Sequence, residues 1–223
     1  MSQPVLIKIC GLTDEDSVET AAGAGADFLG FVFCPASPRN VSPERAAELL
    51  AGVPSEIRDE LRIVGLFVDP SDADIDAVYR HVRLDIIQLH GAESPERVEE
   101  LRLEYGSEVI KAIGVASAAD LDAAKPYDGI ADWLLFDARP PQGASCPGGN
   151  GHAFPWSVMR GWSGQSPWLL AGGLNPENVA AAMAESGAVG VDVSSGVERE
   201  LGVKDPERIA RFIVAALDAG EGE

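Results

Sequence analysis

The chain has 223 residues, with 36 acidic against 17 basic side chains and a net charge of −19. Such a surface repels a phosphate backbone and excludes nucleic acid as a partner. Its three cysteines, Cys10, Cys34 and Cys146, form no CxxC pair, and no His/Asp/Glu group has metal-ligand spacing, so neither a disulfide scaffold nor a metal site is predicted.

Apolar runs are all far shorter than the ~18 residues that mark a membrane span. Met1–Lys8 lacks the charged-then-apolar layout of a signal peptide. The expectation is a cytoplasmic protein with no membrane partner.

Taken in chain order, short apolar runs recur at Val5–Cys10, Asp27–Phe33, Arg62–Asp69, Asp85–His90, Glu108–Ile113, Asp132–Asp137, Pro167–Ala171 and Val189–Val193. Their length and Val/Ile/Leu/Phe content predict strands buried on both faces, as in parallel sheets. Between them lie helix signals. Thr13 precedes three acids in a first turn, and Ser42-Pro43-Glu44, Ser94-Pro95-Glu96, Asn175-Pro176-Glu177 and Asp205-Pro206-Glu207 each set a cap before a proline. Eight strand–helix alternations with right-handed crossovers predict an α/β fold, one (β/α)8 TIM barrel domain over residues 1–223, with 218–223 as a frayed tail. A doubly wound open sheet is the competing architecture. It is disfavoured because the sequence contains neither GxGxxG after the first strand nor GxxxxGK[ST].

A barrel of this kind places its chemistry at the C-terminal strand ends. Those positions hold Cys10, Arg39 (on the loop after the second strand), Asp69, Gln88, His90, Asp137, Gly172-Gly173 and Ser194-Ser195-Gly196. A glycine pair alone reads as a tight turn. Flexible glycines after strand 7 and hydroxyls after strand 8 together predict a phosphate cradle at Gly172, Gly173, Ser194 and Ser195. Strand alternation places Lys8 on the side of Cys10, where a cation would favour the thiolate. Asp137, approached through an apolar run, suits a proton donor, a helix cap or an arginine partner. His90 is either a base or a residue that shapes its loop, and the second reading is preferred. Cys34 and Cys146 are read as packing and incidental.

The ordered segments Lys8-Ile9-Cys10-Gly11-Leu12-Thr13, Gly30-Phe31-Val32-Phe33 with Ser37-Pro38-Arg39, Ile87-Gln88-Leu89-His90-Gly91, Leu134-Leu135-Phe136-Asp137, Leu170-Ala171-Gly172-Gly173-Leu174 and Val191-Asp192-Val193-Ser194-Ser195-Gly196-Val197-Glu198 resemble phosphoribosylanthranilate isomerase over nearly the whole chain. The resemblance implies a cofactor-free Amadori rearrangement of a phosphosugar–anthranilate substrate in tryptophan biosynthesis, by a monomer or homodimer. It implies Cys10 as general base, Asp137 as general acid, Arg39 at the anthranilate end, and Gly172, Gly173, Ser194 and Ser195 at the phosphate. The chain departs from the family pattern at Asn150 within Gly148-Gly149-Asn150-Gly151 and at Pro155 within Phe154-Pro155-Trp156. Two rival readings are another phosphosugar barrel enzyme and a non-catalytic metabolite sensor. Neither predicts Cys10 and Asp137 together.

The charge carries a separate expectation. Only four lysines occur (Lys8, Lys111, Lys125, Lys204) and acids crowd Asp69–Asp76 and Glu93–Glu104. Dense carboxylates repel one another until salt screens them, over ~10 Å at 0.1 M and ~3 Å at 1 M. A salt-adapted protein gains melting temperature between 0.1 and 1 M potassium chloride, and more than neutral osmolytes provide. A flat or falling Tm leaves an ordinary acidic protein from a GC-rich genome.

Overall fold

The computed structural model describes residues 4–139, 148–149, 151 and 153–221. Cys146 and Asn150 lie outside them. Eight parallel strands close into a barrel in sequence order: β1 Leu6–Cys10, β2 Phe28–Val32, β3 Arg62–Phe67, β4 Ile86–Leu89, β5 Glu108–Val115, β6 Trp133–Ala138, β7 Trp168–Leu170 and β8 Gly190–Val193. Closure is made where β1 pairs β8, with Lys8 beside Asp192. Most observed strands are trimmed by a residue or two relative to the apolar runs. β5 is longer, because Gly114 and Val115 pair with Asp137 and Ala138 of β6.

Side-chain alternation splits the core in two. Inward-facing Phe28, Val64, Ile86, Ile110, Ala112, Leu135, Leu169 and Ala171 fill the barrel, with Leu6 and Trp133 packed against them. Outward-facing residues such as Ile7, Leu29, Ile63, Ile87 and Val109 meet the helical layer in a second, larger cluster. Two residues further along the inward side come Lys8, Gln88, Asp137 and Asp192, and then Cys10, His90 and Ser194. The interior therefore changes from apolar at its base to polar at the C-terminal mouth.

The helical layer follows the cap signals in part. α1 (Glu15–Ala24) is capped by Asp14 rather than Thr13, since the Asp14 carboxylate accepts from both the backbone N and the hydroxyl of Ser17. Ser42 and Ser94 cap α2 (Pro43–Ala51) and α5 (Pro95–Tyr105), each with proline in the first turn. A short α3 (Ser55–Arg58) and α4 (Asp72–Tyr79) flank β3. α6 begins at Val179, not at Pro176, because the Asn175 side chain accepts from the N–H groups of Glu177 and Asn178 and holds a separate turn. α7 runs over Pro206–Glu221, so 218–221 are helical rather than frayed; Phe212, Ile213 and Ala216 hold them through a buried face.

Two crossovers hold no α-helix among the described residues. Ala118–Tyr127 after β5 and Trp156–Gly161 after β6 are 3-10 segments. Leu121 and Ala124 bury at i, i+3 spacing, which suits three residues per turn. Pro155 ends as the residue before the second segment, where its missing N–H costs no ladder bond. After β8 the chain adds an antiparallel hairpin, β9 (Glu198–Glu200) and β10 (Val203–Lys204), that the sequence reading did not foresee. Among the described residues no helix is long and apolar enough to cross a membrane.

Candidate active site

A cavity opens at the C-terminal ends of the strands, and its wall includes Cys10, Arg39, His90, Asp137, Gly172, Gly173, Ser194 and Ser195. The residues to which the resemblance gives a role are thus brought to one place. Asp69 is not part of that wall. Its Oδ1 accepts from Ala92 N–H at 2.7 Å and its own N–H donates to Glu93 at 2.8 Å, so it builds the loops after β3 and β4. Cys34, read as packing, is half-buried and lines the mouth.

Cys10 is buried at the end of β1, paired in register with Gly30 of β2. A Cβ on Gly30 would lie 3.0 Å from the Cys10 Sγ, so the absent side chain makes room for the thiol. Lys8 lies beneath it, fully buried, with Nζ 2.8 Å from Asp192 Oδ1. The expectation that Lys8 lowers the thiol's pKa needs correction. Burial pushes the Cys10 thiol up, and the nearby Lys8 charge offsets this only partly while Asp192 adds to the rise. Burial also opposes the Lys8 charge, but the Asp192 carboxylate and Cys10 outweigh it and hold the ammonium above its ordinary value. The balance favours the thiol form of Cys10 over the thiolate.

Arg39 is also buried rather than paired at the surface with a local acid such as Glu44. Glu44 instead meets His81 at 3.2 Å. Arg39 Nε donates to Glu198 Oε1 at 2.6 Å and Nη2 to Glu198 Oε2 at 3.0 Å, a two-bond fork of the strongest kind. Nη2 also donates to the Gly149 carbonyl at 3.3 Å. The side-on fork is therefore taken by the protein's own carboxylate and Nη2 is shared with the Gly149 carbonyl, so among the described residues Nη1 is what Arg39 has left for a ligand.

Glu198 is held from its other side by Lys204, whose Nζ lies 3.0 Å from Oε1. Burial raises the Glu198 carboxyl, but Arg39 and Lys204 outweigh it and the carboxylate sits below its usual range. Burial drives the Lys204 ammonium down despite Glu198. The same ammonium donates to Ser194 O at 2.9 Å and to Ser194 Oγ at 3.1 Å, so the β9–β10 hairpin braces both Arg39 and the loop after β8. Sequence reasoning missed Glu198 and Lys204 as site supports. A signal was present in the lysines: three of the four in this arginine-rich chain, Lys8, Lys111 and Lys204, are buried, each against a carboxylate.

Opposite the arginine, Gly172 and Gly173 follow β7 with φ of 87° and 67°, a region that glycine enters without strain. A Cβ on Gly172 would meet the Ala138 backbone N at 2.5 Å. The Gly173 carbonyl is fixed by the Asn178 side-chain amide at 2.9 Å. At the end of the adjacent strand β8, Ser195 opens the short 3-10 turn Ser195–Val197, and Gly196 packs directly on the Leu174 carbonyl. The loops after β7 and β8 thus form one rigid concave edge, a geometry that suits an anion.

Asp137, near the end of β6, is almost fully buried. Its Oδ1 accepts from the Ala138 N–H at 2.8 Å, and its Oδ2 lies 3.3 Å from His90 Nε2. His90, preferred as a loop-shaping residue, instead faces the cavity beside Asp137.

The N-(5′-phosphoribosyl)anthranilate isomerase family model matches residues 7–215 of the chain. The chain is 62% identical to N-(5′-phosphoribosyl)anthranilate isomerase of Rhodospirillum rubrum, covering 96% of this chain and 98% of that one. The crystal structure of phosphoribosyl anthranilate isomerase from Thermotoga maritima superposes with a TM-score of 0.82 at 36% identity, over 95% of this chain and 98% of that one. A further phosphoribosyl anthranilate isomerase, solved in complex with reduced 1-(o-carboxyphenylamino)-1-deoxyribulose 5-phosphate, gives a TM-score of 0.79 at 34% identity, with coverage of 95% and 98%. The chain belongs to the N-(5′-phosphoribosyl)anthranilate isomerase family.

Proposed function

We propose that Cys10 and Asp137 divide the proton transfers by which this chain isomerises N-(5-phosphoribosyl)anthranilate to 1-(2-carboxyphenylamino)-1-deoxyribulose 5-phosphate. Asp137 gives its proton to the ribose ring oxygen as the C1–O bond breaks, which leaves an iminium. The iminium acidifies C2, and Cys10 as thiolate takes the C2 proton. The resulting enolamine ketonises to the product. Gly172, Gly173, Ser194 and Ser195 receive the phosphate, while Nη1 of Arg39 meets the anthranilate carboxylate.

The observation that carries this reading is the placement of a thiol on β1 and a carboxyl on β6 in the wall of one cavity, with an arginine edge and a glycine–serine edge in the same wall. One small substrate with two anionic ends can span that mouth. Incubating the protein with the substrate and following loss of the anthranilate-adduct fluorescence tests it; steady turnover is expected. Tight binding with no turnover would leave a metabolite sensor in its place.

Arg39→Lys is expected to raise the KM for substrate while leaving affinity for inorganic phosphate unchanged. Lysine keeps the charge but loses the planar edge and the fork to Glu198. Equal weakening of both ligands in a binding titration would place Arg39 in the phosphate site or in folding alone.

A further inference from the structure

Asp137 has a difficulty as an acid. Its Oδ1 already accepts from the Ala138 N–H. If His90 also donated from Nε2 to Oδ2, both oxygens would accept and the ionised carboxylate would be favoured. A proton donor needs the opposite arrangement, in which the carboxyl O–H donates to an unprotonated His90 Nε2. The imidazole then carries its hydrogen on Nδ1, and Nδ1 requires an acceptor.

Such an acceptor stands in place. Gln88, on β4 and two residues before His90 on the inward side, has its amide 3.3 Å from His90 Nδ1. With the nitrogen turned to Nδ1, Oε1 of this fully buried side chain has no partner among the described residues. Turning the amide by half a revolution presents Oε1 to Nδ1 within the same outline. Gly148 lies over the pair: a Cβ there would come within 2.8 Å of His90 Cε1 and 3.0 Å of Asp137 Oδ2, so only a bare backbone closes on it.

We propose that Gln88 and His90 are positioning residues that keep the Asp137 proton in place, through the chain Gln88 Oε1···H–Nδ1 His90 Nε2···H–Oδ2 Asp137. This rests on the reading of Asp137 as the acid. The relay neither gains nor loses a proton; its work is to fix one imidazole tautomer so that Oδ2 holds the hydrogen at the cavity wall, where the ring oxygen takes it. A glutamine at this position accepts from Nδ1–H, an apolar side chain cannot, and a carboxylate can do nothing else.

Nitrogen NMR of the protein labelled with 15N-histidine reads the tautomer directly, since the chain has only three histidines. His90 is expected with a protonated Nδ1 and a pyridine-type Nε2; an Nε2–H tautomer or an imidazolium would overturn the proposal. In turnover, Gln88→Met is expected to lower kcat at least ~10-fold with KM changed less than about threefold, because acid–base assistance is lost and binding is not. Gln88→Glu, which still accepts from Nδ1–H but also draws the imidazole towards its charged form, is expected to recover only part of the kcat lost in Gln88→Met. Parent-like kcat in Gln88→Met, or Gln88→Glu no better than Gln88→Met, would also overturn it. The Asp137→Asn assay separates the two readings. An inactive Asp137→Asn with the wrong His90 tautomer removes the relay alone, while an active Asp137→Asn removes the acid itself.

Discussion

Asp137→Asn is expected to lower kcat by at least ~10²-fold with KM little changed, because a positioned general acid contributes ~10²–10⁴ and the amide cannot release a proton. The substitution preserves shape. An asparagine oxygen still accepts from the Ala138 N–H, and its other end still reaches His90, so the cavity wall stays in place. Bond breaking at C1–O then has to proceed without a proton for the departing ring oxygen. Turnover within about threefold of the parent would remove Asp137 from the mechanism.

Cys10→Ser is expected to produce a loss of similar size, at least ~10²-fold in kcat, since a serine hydroxyl is a far weaker acid than a thiol and supplies no base. The state of the parent thiol adds a pH signature. Burial holds Cys10 above the ordinary thiol range even with Lys8 nearby, so at neutral pH only a minor fraction is thiolate. That fraction grows about tenfold for each pH unit below the thiol's pKa, and kcat/KM reports the free protein. Because turnover also needs the Asp137 proton, the Cys10 contribution is read as the ratio of parent to Cys10→Ser kcat/KM, which should climb steadily from pH 7 to pH 9. A ratio that stays flat over that range would mean that a group other than the Cys10 thiolate removes the C2 proton.

The barrel was legible because parallel strands buried on both faces read as unbroken apolar runs, and all eight were visible as such. Strand ends were less so, since β5 gains Gly114 and Val115 only by pairing with β6, a partner no local pattern announces. Ser42 and Ser94 worked as caps because their hydroxyls meet the third helical N–H, a local interaction. Asn175 spent its side chain on a turn of its own, and α6 began late. The 3-10 crossover over Ala118–Tyr127 was hidden because an i, i+3 pair is also part of every α-helical stripe.

The site residues at strand ends were legible from position alone, but their supports were not. Asp192 is 184 residues from Lys8, and Glu198 is 159 residues from Arg39. Alternation put Lys8 on the side of Cys10 correctly. It could not weigh the burial that outcompetes the Lys8 charge, because the depth of a site is a property of the closed barrel. His90 was read as a loop residue for the same reason: its partner Asp137 sits two strands away and meets it only at the mouth.

Proton abstraction at C2 followed by ketonisation of an enolamine is tested by one turnover in heavy water. Unlabelled substrate is converted by the protein in D2O, and the product is weighed and located by mass and proton NMR. One carbon-bound deuterium is expected at C1, delivered as the enolamine ketonises after Cys10 has taken the C2 hydrogen. A product whose C1 carries no deuterium would mean that the hydrogen passes from C2 to C1 without exchange, and would contradict that sequence of steps.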